Sequence, residues 1–299
     1  MLNVISRLSI KDVATTYVAN VRGDRKLLIE FVESTPQPQS DRGKKWVIIV
    51  SSQIGCALRC RFCDASGYFY GNLSKDEIVE QVDYVIQRHK ERSPINTQKF
   101  KIQFARMGEP SLNSGVIDAM LELININPAY IPCIATAAPV GSEKFFDRLI
   151  EVRDYFRDFQ LQFSINSTDE DYRDYIMPFK KMPLEWIGEY SDRFYSKGRR
   201  KVVLNFALRP KDELNCKIIK RSFNPQKNII KLTPINPTQN SKRHKFEVKG
   251  DYDEIYSYLR LQSDKLKEYG FETIISIGDL RENILLSNCG QIANAISKN

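Results

Sequence analysis

The spacing of apolar positions changes along the chain, and each change marks an element. Residues 13–21 and 26–33 are rich in β-formers on either side of Arg22-Gly23-Asp24-Arg25, which reads as a hairpin. Trp46-Val47-Ile48-Ile49-Val50 is an unbroken apolar run, as expected of a strand buried on both faces. From there, strand-like runs alternate with stretches of helical period. Residues 74–90 predict a helix: Ser74 and Glu77 make a capping box, and Ile78, Val82, Val85 and Ile86 make one apolar stripe. Further strands are expected at 99–105, 132–136, 159–165, 201–208, 228–233 and 271–277, with helices at 115–124, 143–152, 184–196 and 252–268. In 159–165 the alternation is strict, and it puts Gln160, Gln162 and Ser164 on one face, able to line a polar lumen. Alternating strands and helices predict a parallel α/β architecture. With about six strands, the expectation is an open parallel (β/α)6 partial barrel over 46–299, preceded by a small N-terminal β-hairpin extension, 1–45. Residues 35–41 and 234–250 read as loops, and a short tail helix is expected after Cys289-Gly290-Gln291.

Composition narrows this picture. The chain has 299 residues, of which 42% are hydrophobic, enough for one large core. No apolar run approaches the length of a membrane span, and Met1-Leu2-Asn3-Val4-Ile5-Ser6-Arg7 is too short and too soon charged for a signal peptide. A cytoplasmic protein with reduced thiols is expected, with no membrane partner. The net charge of +8 suits a polyanionic partner, although a solvated lysine-rich surface accounts for it equally well. Lys242-Arg243-His244-Lys245 is a basic cluster in a polar loop without interleaved aromatics, a weak nucleic-acid signal.

The candidate chemistry lies in Ser51-Ser52-Gln53-Ile54-Gly55-Cys56-Ala57-Leu58-Arg59-Cys60-Arg61-Phe62-Cys63. Three of the six cysteines sit here, spaced Cys-x3-Cys-x2-Cys. Zinc wants four ligands, commonly in pairs; no second Cys-x2-Cys exists, and His89 and His244 form no such pair. Six cysteines are too few for a disulfide scaffold in a chain this long. Three thiolates can bind three irons of a [4Fe–4S] cluster, leaving the fourth open to a substrate or cofactor, whereas electron-transfer clusters normally use four cysteines. The spacing, with an aromatic before the third cysteine, resembles the radical-SAM superfamily, in which the open iron chelates S-adenosylmethionine (SAM). In barrels of this kind the chemistry sits at the C-terminal ends of the strands. Cys56, Gly108-Glu109, Asn236 and Cys289 each follow a strand and should share one opening.

Several motifs in order resemble one branch of that superfamily. Ser51 to Leu58, Met107-Gly108-Glu109-Pro110, Pro234-Ile235-Asn236-Pro237 and Cys289-Gly290-Gln291 look like the class A radical-SAM RNA methylases, the RlmN and Cfr type. The resemblance implies a methyltransferase with a [4Fe–4S] cluster on Cys56, Cys60 and Cys63. It implies SAM contacts from Phe62, Gly108, Glu109, Ser164, Asn166 and Asn236; a carboxylate such as Glu109 suits the SAM ammonium. Cys289 would be the cysteine that is methylated and then carries the carbon to an sp2 position of an adenine. Glu30 matches a glutamate of the family and is a candidate base. The implied partners are RNA, or a smaller nucleotide-like substrate, and an electron donor such as flavodoxin or ferredoxin.

Three departures stand out. The family's second cysteine, seven residues before the first cluster cysteine, helps release the product; here that position is Ile49, and Cys133 and Cys216 read as small core residues. The stretch before Trp46 is too short for the family's N-terminal accessory domain. A Ser-Thr-Ser-Gly-like stretch is replaced by Ala135-Thr136-Ala137-Ala138. Two alternatives therefore stay beside the methyltransferase: a radical-SAM enzyme on a small molecule, with Cys289 as hydrogen donor or adduct site, and an inactive cluster-bearing protein that binds RNA or a partner.

Overall fold

A computed structural model describes residues 2–34, 43–89, 97–246, 248 and 252–293. The chain opens with three strands, β1 (Asn3–Ile10), β2 (Ala14–Val21) and β3 (Asp24–Ser34), paired antiparallel in sequence order. β2 and β3 form the expected hairpin. β4 (Trp46–Val50) pairs antiparallel with β3, so the extension continues the sheet of the barrel. A separate two-stranded ribbon, β5 (Gln53–Gly55) and β6 (Phe69–Asn72), flanks the cysteine motif. Then β7 (Phe100–Phe104), β8 (Ile131–Thr136), β9 (Gln160–Ser164), β10 (Val202–Leu208), β11 (Asn228–Pro234) and β12 (Glu272–Ile275) follow β4 in parallel. The fold is the expected α/β partial barrel: the seven segments read as barrel strands, 46–50 and the six after it, are its seven parallel strands among the described residues, one more than the expected (β/α)6 count.

Nine helices connect or cover the described strands: α1 (Lys75–Gln87), α2 (Gly115–Glu122), α3 (Glu143–Val152), α4 (Glu170–Ile176), α5 (Leu184–Phe194), α6 (Cys216–Ser222), α7 (Gln239–Arg243), α8 (Tyr252–Glu268) and α9 (Leu280–Ile284). α1 has the capping box read from Ser74 and Glu77. Arg22, at the hairpin turn, reaches Glu77 with Nε at 2.8 Å and Nη2 at 2.9 Å, which ties the extension to the start of α1. Buried Trp46, Ile48 and Val50 of β4 join Ile78, Val82 and Val85 of α1 in the main core.

Some elements differ from the expectation. The loop 234–250 contains α7, whose N-cap Thr238 accepts from the Ser241 N–H. Short helices α4 and α6 are likewise set by the side-chain caps Asp169 and Asn215. Residues 35–41 and the tail helix past Ala293 lie outside the described residues. No described helix is long and apolar enough to cross a membrane.

Candidate active site

The polypeptide around the cysteines is a loop closed at its base. Cys56 N–H donates to the Tyr68 carbonyl at 2.9 Å, where β5 meets β6. Gly55 makes the closure possible: its φ is +80°, and a Cβ there would stand 2.2 Å from the Tyr68 carbonyl oxygen. At its far side the loop is tied to two other segments. Arg61 N–H donates to the Ile176 carbonyl of α4, and Asp64 accepts from the Gln239 and Asn240 N–H groups of α7 at 3.1 and 2.8 Å.

This loop forms one wall of a cavity of about 270 Å³ at the C-terminal ends of the parallel strands. Cys56, Cys60, Phe62 and Cys63 line it, together with Gly108 and Glu109 after β7. Ser164 and Asn166 line it from the end of β9, Asn236 from the end of β11, and Cys289 from the loop beyond α9. Ten of the eleven residues singled out in the sequence thus share one wall; the exception is Glu30.

Glu109 is 4% exposed, and its carboxylate is held by neutral donors. One oxygen accepts from Ser111 N–H at 3.1 Å, Ser111 Oγ at 2.7 Å and Thr136 Oγ1 at 2.6 Å; the other accepts from Ala137 N–H at 2.9 Å. A carboxylate has about four lone-pair sites, so the second oxygen keeps capacity for a further donor. Burial pushes the pKa of Glu109 up, against these hydrogen bonds, which lower it. Gly108 keeps its backbone against the cysteine-loop strand: φ is +95°, and a Cβ would stand 2.5 Å from Gln53 Cβ.

Asn166 adopts φ of 65°, a left-handed conformation that Asn tolerates better than most residues. Its Oδ1 accepts from Ala207 N–H at 3.2 Å and its Nδ2 points at Met177 Sδ at 3.2 Å. Asn236 Nδ2 donates to Cys289 Sγ at 3.2 Å.

The loop that presents Cys289 is gripped from beneath by Arg106. Nη1 donates to the carbonyls of Ser287 and Asn288 at 3.2 and 2.7 Å, and Nη2 to those of Leu286 and Gly290 at 2.7 and 2.9 Å. Nη2 is also paired with Glu30, which is 0% exposed. Glu30 accepts from Ala293 N–H as well. Each of its oxygens has one donor and the residue stands outside the cavity wall, so Glu30 sits as a counter-ion to Arg106 and does not face the cavity.

The Radical SAM superfamily matches residues 50–213, more than half of the chain. The chain belongs to the radical SAM superfamily. Among curated proteins it is similar to the dual-specificity RNA methyltransferase RlmN of Geobacter sulfurreducens, with 33% identity over 62% of this chain and 50% of that one. It is also similar to the probable RlmN enzymes of Chlorobium phaeobacteroides (32%, covering 73% and 62%) and Petrotoga mobilis (26%, covering 77% and 66%). The chain thus spans between half and about two thirds of the length of these relatives. The solved structure of Streptococcus suis SuiB bound to S-adenosylmethionine superposes with a TM-score of 0.53 at 11% identity, over 78% of this chain and 50% of that one, a likeness of fold.

The radical SAM cofactors are a [4Fe–4S] cluster and SAM, and the thiols of this chain suit the cluster. Cys56, Cys60 and Cys63 come from one short loop and all three line the same cavity, so three thiol donors are available to the cluster from one side. Burial pushes the Cys56 and Cys60 thiols well above their ordinary range and Cys63 to about 11. Such thiols need the positive charge of bound iron to stand as thiolates. Asn205 Oδ1 is buried without a partner among the described residues, and Asn205 lines the same cavity. An orphaned acceptor there is suited to a ligand that brings its own donor.

Sequence reasoning missed Arg106, Ser111, Thr136 and Asn205. Thr136 lies in the stretch noted only as a departure from the family pattern, yet it supports Glu109. Ile49 packs on the apolar cluster of Val13, Val32 and Leu285, outside the cavity wall. Cys133 and Cys216 are buried in the fold and also lie outside that wall.

Proposed function

We propose that the protein is a radical-SAM methyltransferase that uses Cys289 as a methyl carrier toward an sp2 carbon of an adenine-like ring, in RNA or a smaller nucleotide-like substrate. The observation that carries this reading is the place of Cys289. Its sulfur shares a cavity with Cys56, Cys60, Cys63 and Glu109, and Asn236 donates to it.

When bound, the cluster and SAM supply one-electron chemistry and the methyl group. The chain's own residues do the placing. Cys56, Cys60 and Cys63 would hold the cluster, and Glu109 would orient an ammonium through its remaining lone pair, with Gly108 keeping the backbone low enough for close approach. Asn236 orients the Cys289 sulfur, and Arg106 sets the height of the Cys289 loop above the strand ends. Mostly apolar walls, among them Leu58, Ala105 and Ile235, limit water near the reacting groups.

The test is mass spectrometry of reconstituted protein given SAM labelled at its methyl group. Label on Cys289 is expected, and none on the Cys289→Ala protein. Label elsewhere, or full product formation by Cys289→Ala, would reject the carrier role. A second reading has one observation in its favour. Apart from the three cluster cysteines, Cys289 is the only cysteine in the cavity wall, so no thiol stands ready to resolve an adduct. On that reading Cys289 is a hydrogen donor or a lasting adduct site, and its label would be absent or would persist as a crosslink to substrate.

A further inference from the structure

On the outer side of the cysteine loop lies a second cavity, of about 360 Å³. Cys60 lines both cavities, so the two share a wall. The outer one is lined by Arg59 and Arg61 from the cysteine loop and by Arg243 and His244 from the end of α7. Arg59, Arg61 and Arg243 have no carboxylate partner among the described residues. Asp64, also on this wall, accepts the two backbone N–H groups of α7 described above.

The chain segment around Arg243 has no interleaved aromatics in sequence, but folding supplies them from elsewhere. Tyr68 lines the cavity, and its ring lies 5.9 Å from that of Tyr70, which is 59% exposed. The Arg61 guanidinium lies 4.2 Å from the ring centroid of Tyr175, itself 48% exposed. Large aromatic rings left in water beside unpaired arginines form a stacking platform next to phosphate-binding groups.

Like charges gathered in one cavity repel, and an anion relieves them. Guanidinium forks match phosphate oxygens in pairs. Isolated phosphate would need the arginines alone; the exposed rings call for bases attached to it. We propose that this face docks single-stranded nucleic acid, with Arg59, Arg61 and Arg243 on successive phosphates and Tyr70 and Tyr175 under bases. The strand would then run along the shared wall and deliver a neighbouring nucleotide to the inner cavity. The inference rests on the methyltransferase reading for its choice of RNA over DNA.

The experiment is fluorescence anisotropy with a labelled single-stranded RNA of mixed sequence, about twelve nucleotides long, over a range of salt. At about 0.1 M salt the Arg59→Gln/Arg61→Gln/Arg243→Gln protein should bind at least about tenfold more weakly, with a salt slope reduced by about 2, the value for three lost single-strand phosphate contacts. Lys217→Gln/Lys220→Gln, which removes two positive charges from α6, should change neither. Tyr70→Ala/Tyr175→Ala should weaken binding and keep the slope. Unchanged RNA affinity in a triple variant that melts like wild type overturns the proposal, and so does an equal loss in the lysine control. Should the triple variant fail to fold, Arg243→Gln alone, outside the cysteine loop, should lower the slope by about 0.7; no change overturns the proposal.

Competitors decide the source of the anion. Displacement of the RNA by AMP or inorganic phosphate at micromolar concentration would replace the strand with a mononucleotide or a free ion. Displacement by polyglutamate as readily as by unlabelled RNA would point to an acidic protein instead. None of these measurements needs iron or SAM. RNA binding without label on Cys289 would keep this inference and reject the methyl-carrier reading, and the reverse result would do the opposite.

Discussion

Two glutamates are buried beside the Cys289 loop and the cavity, and they are neutralised in opposite ways. Glu30 has an arginine against one oxygen and a backbone N–H on the other. Glu109 has only neutral donors, two from Ser111, one from Thr136 and one from a backbone amide. A buried charge with a fixed counter-ion is part of the architecture. One without a counter-ion is costly unless something else supplies it. The difference is the support for the proposed place of a cationic ligand: at Glu109 the fold has built a carboxylate held by neutral donors alone, with no counter-ion of its own. Beneath Cys289 the charge is already answered, and the pair's surplus donors hold the loop instead.

The largest effect should come from breaking the clamp. Arg106→Met leaves Glu30 buried without its partner and should cost about 3–5 kcal/mol of stability, read from denaturant unfolding. Adding Glu30→Gln should restore more than half of the loss, because the two sites are coupled. A near-neutral Arg106→Met would mean that Glu30 is not architectural, and the contrast with Glu109 would collapse. A smaller effect, in a different observable, is expected at the other corner. Glu109→Gln should weaken SAM binding by about 1.5–3 kcal/mol, the usual worth of a hydrogen bond to a charged group, measured by calorimetry on the reconstituted protein. A SAM affinity equal to wild type would show that the open lone pair faces no ammonium.

The smallest effect is a pH dependence at Glu109. The folded-state pKa of Glu109 is raised by burial. Its stabilising contribution is therefore complete below the ordinary glutamate value of about 4.3 and lost as pH rises through the raised one. In SAM-free protein, the unfolding free energy of wild type minus that of Glu109→Gln should accordingly fall as pH rises above about 4.3. A difference that stays flat up to about pH 8 would mean that the four donors cancel the cost of burial.

Much of this was legible because the signals are local. The Cys-x3-Cys-x2-Cys loop, the Gly-Glu turn and the capping box of α1 are written in adjacent residues, and the parallel strands announce themselves as apolar runs. Arg106 was not legible. Its partners are backbone carbonyls about 180 positions away, and a carbonyl leaves no trace in residue identity. α4, α6 and α7 span five to seven residues, too few for a period to emerge, and only their side-chain caps mark them. β1 was missed because its residues are mostly exposed or half-exposed, without the continuous burial of β2. The basic cluster at 242–245 read as isolated because Tyr68, Tyr70 and Tyr175 come to it from other segments of the chain.

Arg106 recognises the Cys289 loop through main-chain oxygens alone, so the contact is blind to the side chains it holds. Ser287 and Asn288 can be exchanged for other residues without removing a donor or an acceptor from that grip. Gly290 cannot, since a Cβ there would stand 2.7 Å from Leu286 Cδ2. The loop is in effect a socket with fixed pins and interchangeable faces. The place of the Cys289 sulfur is therefore set by the main chain of 286–290 rather than by the side chains beside it, and a change of side chain at 288 leaves the grip itself intact.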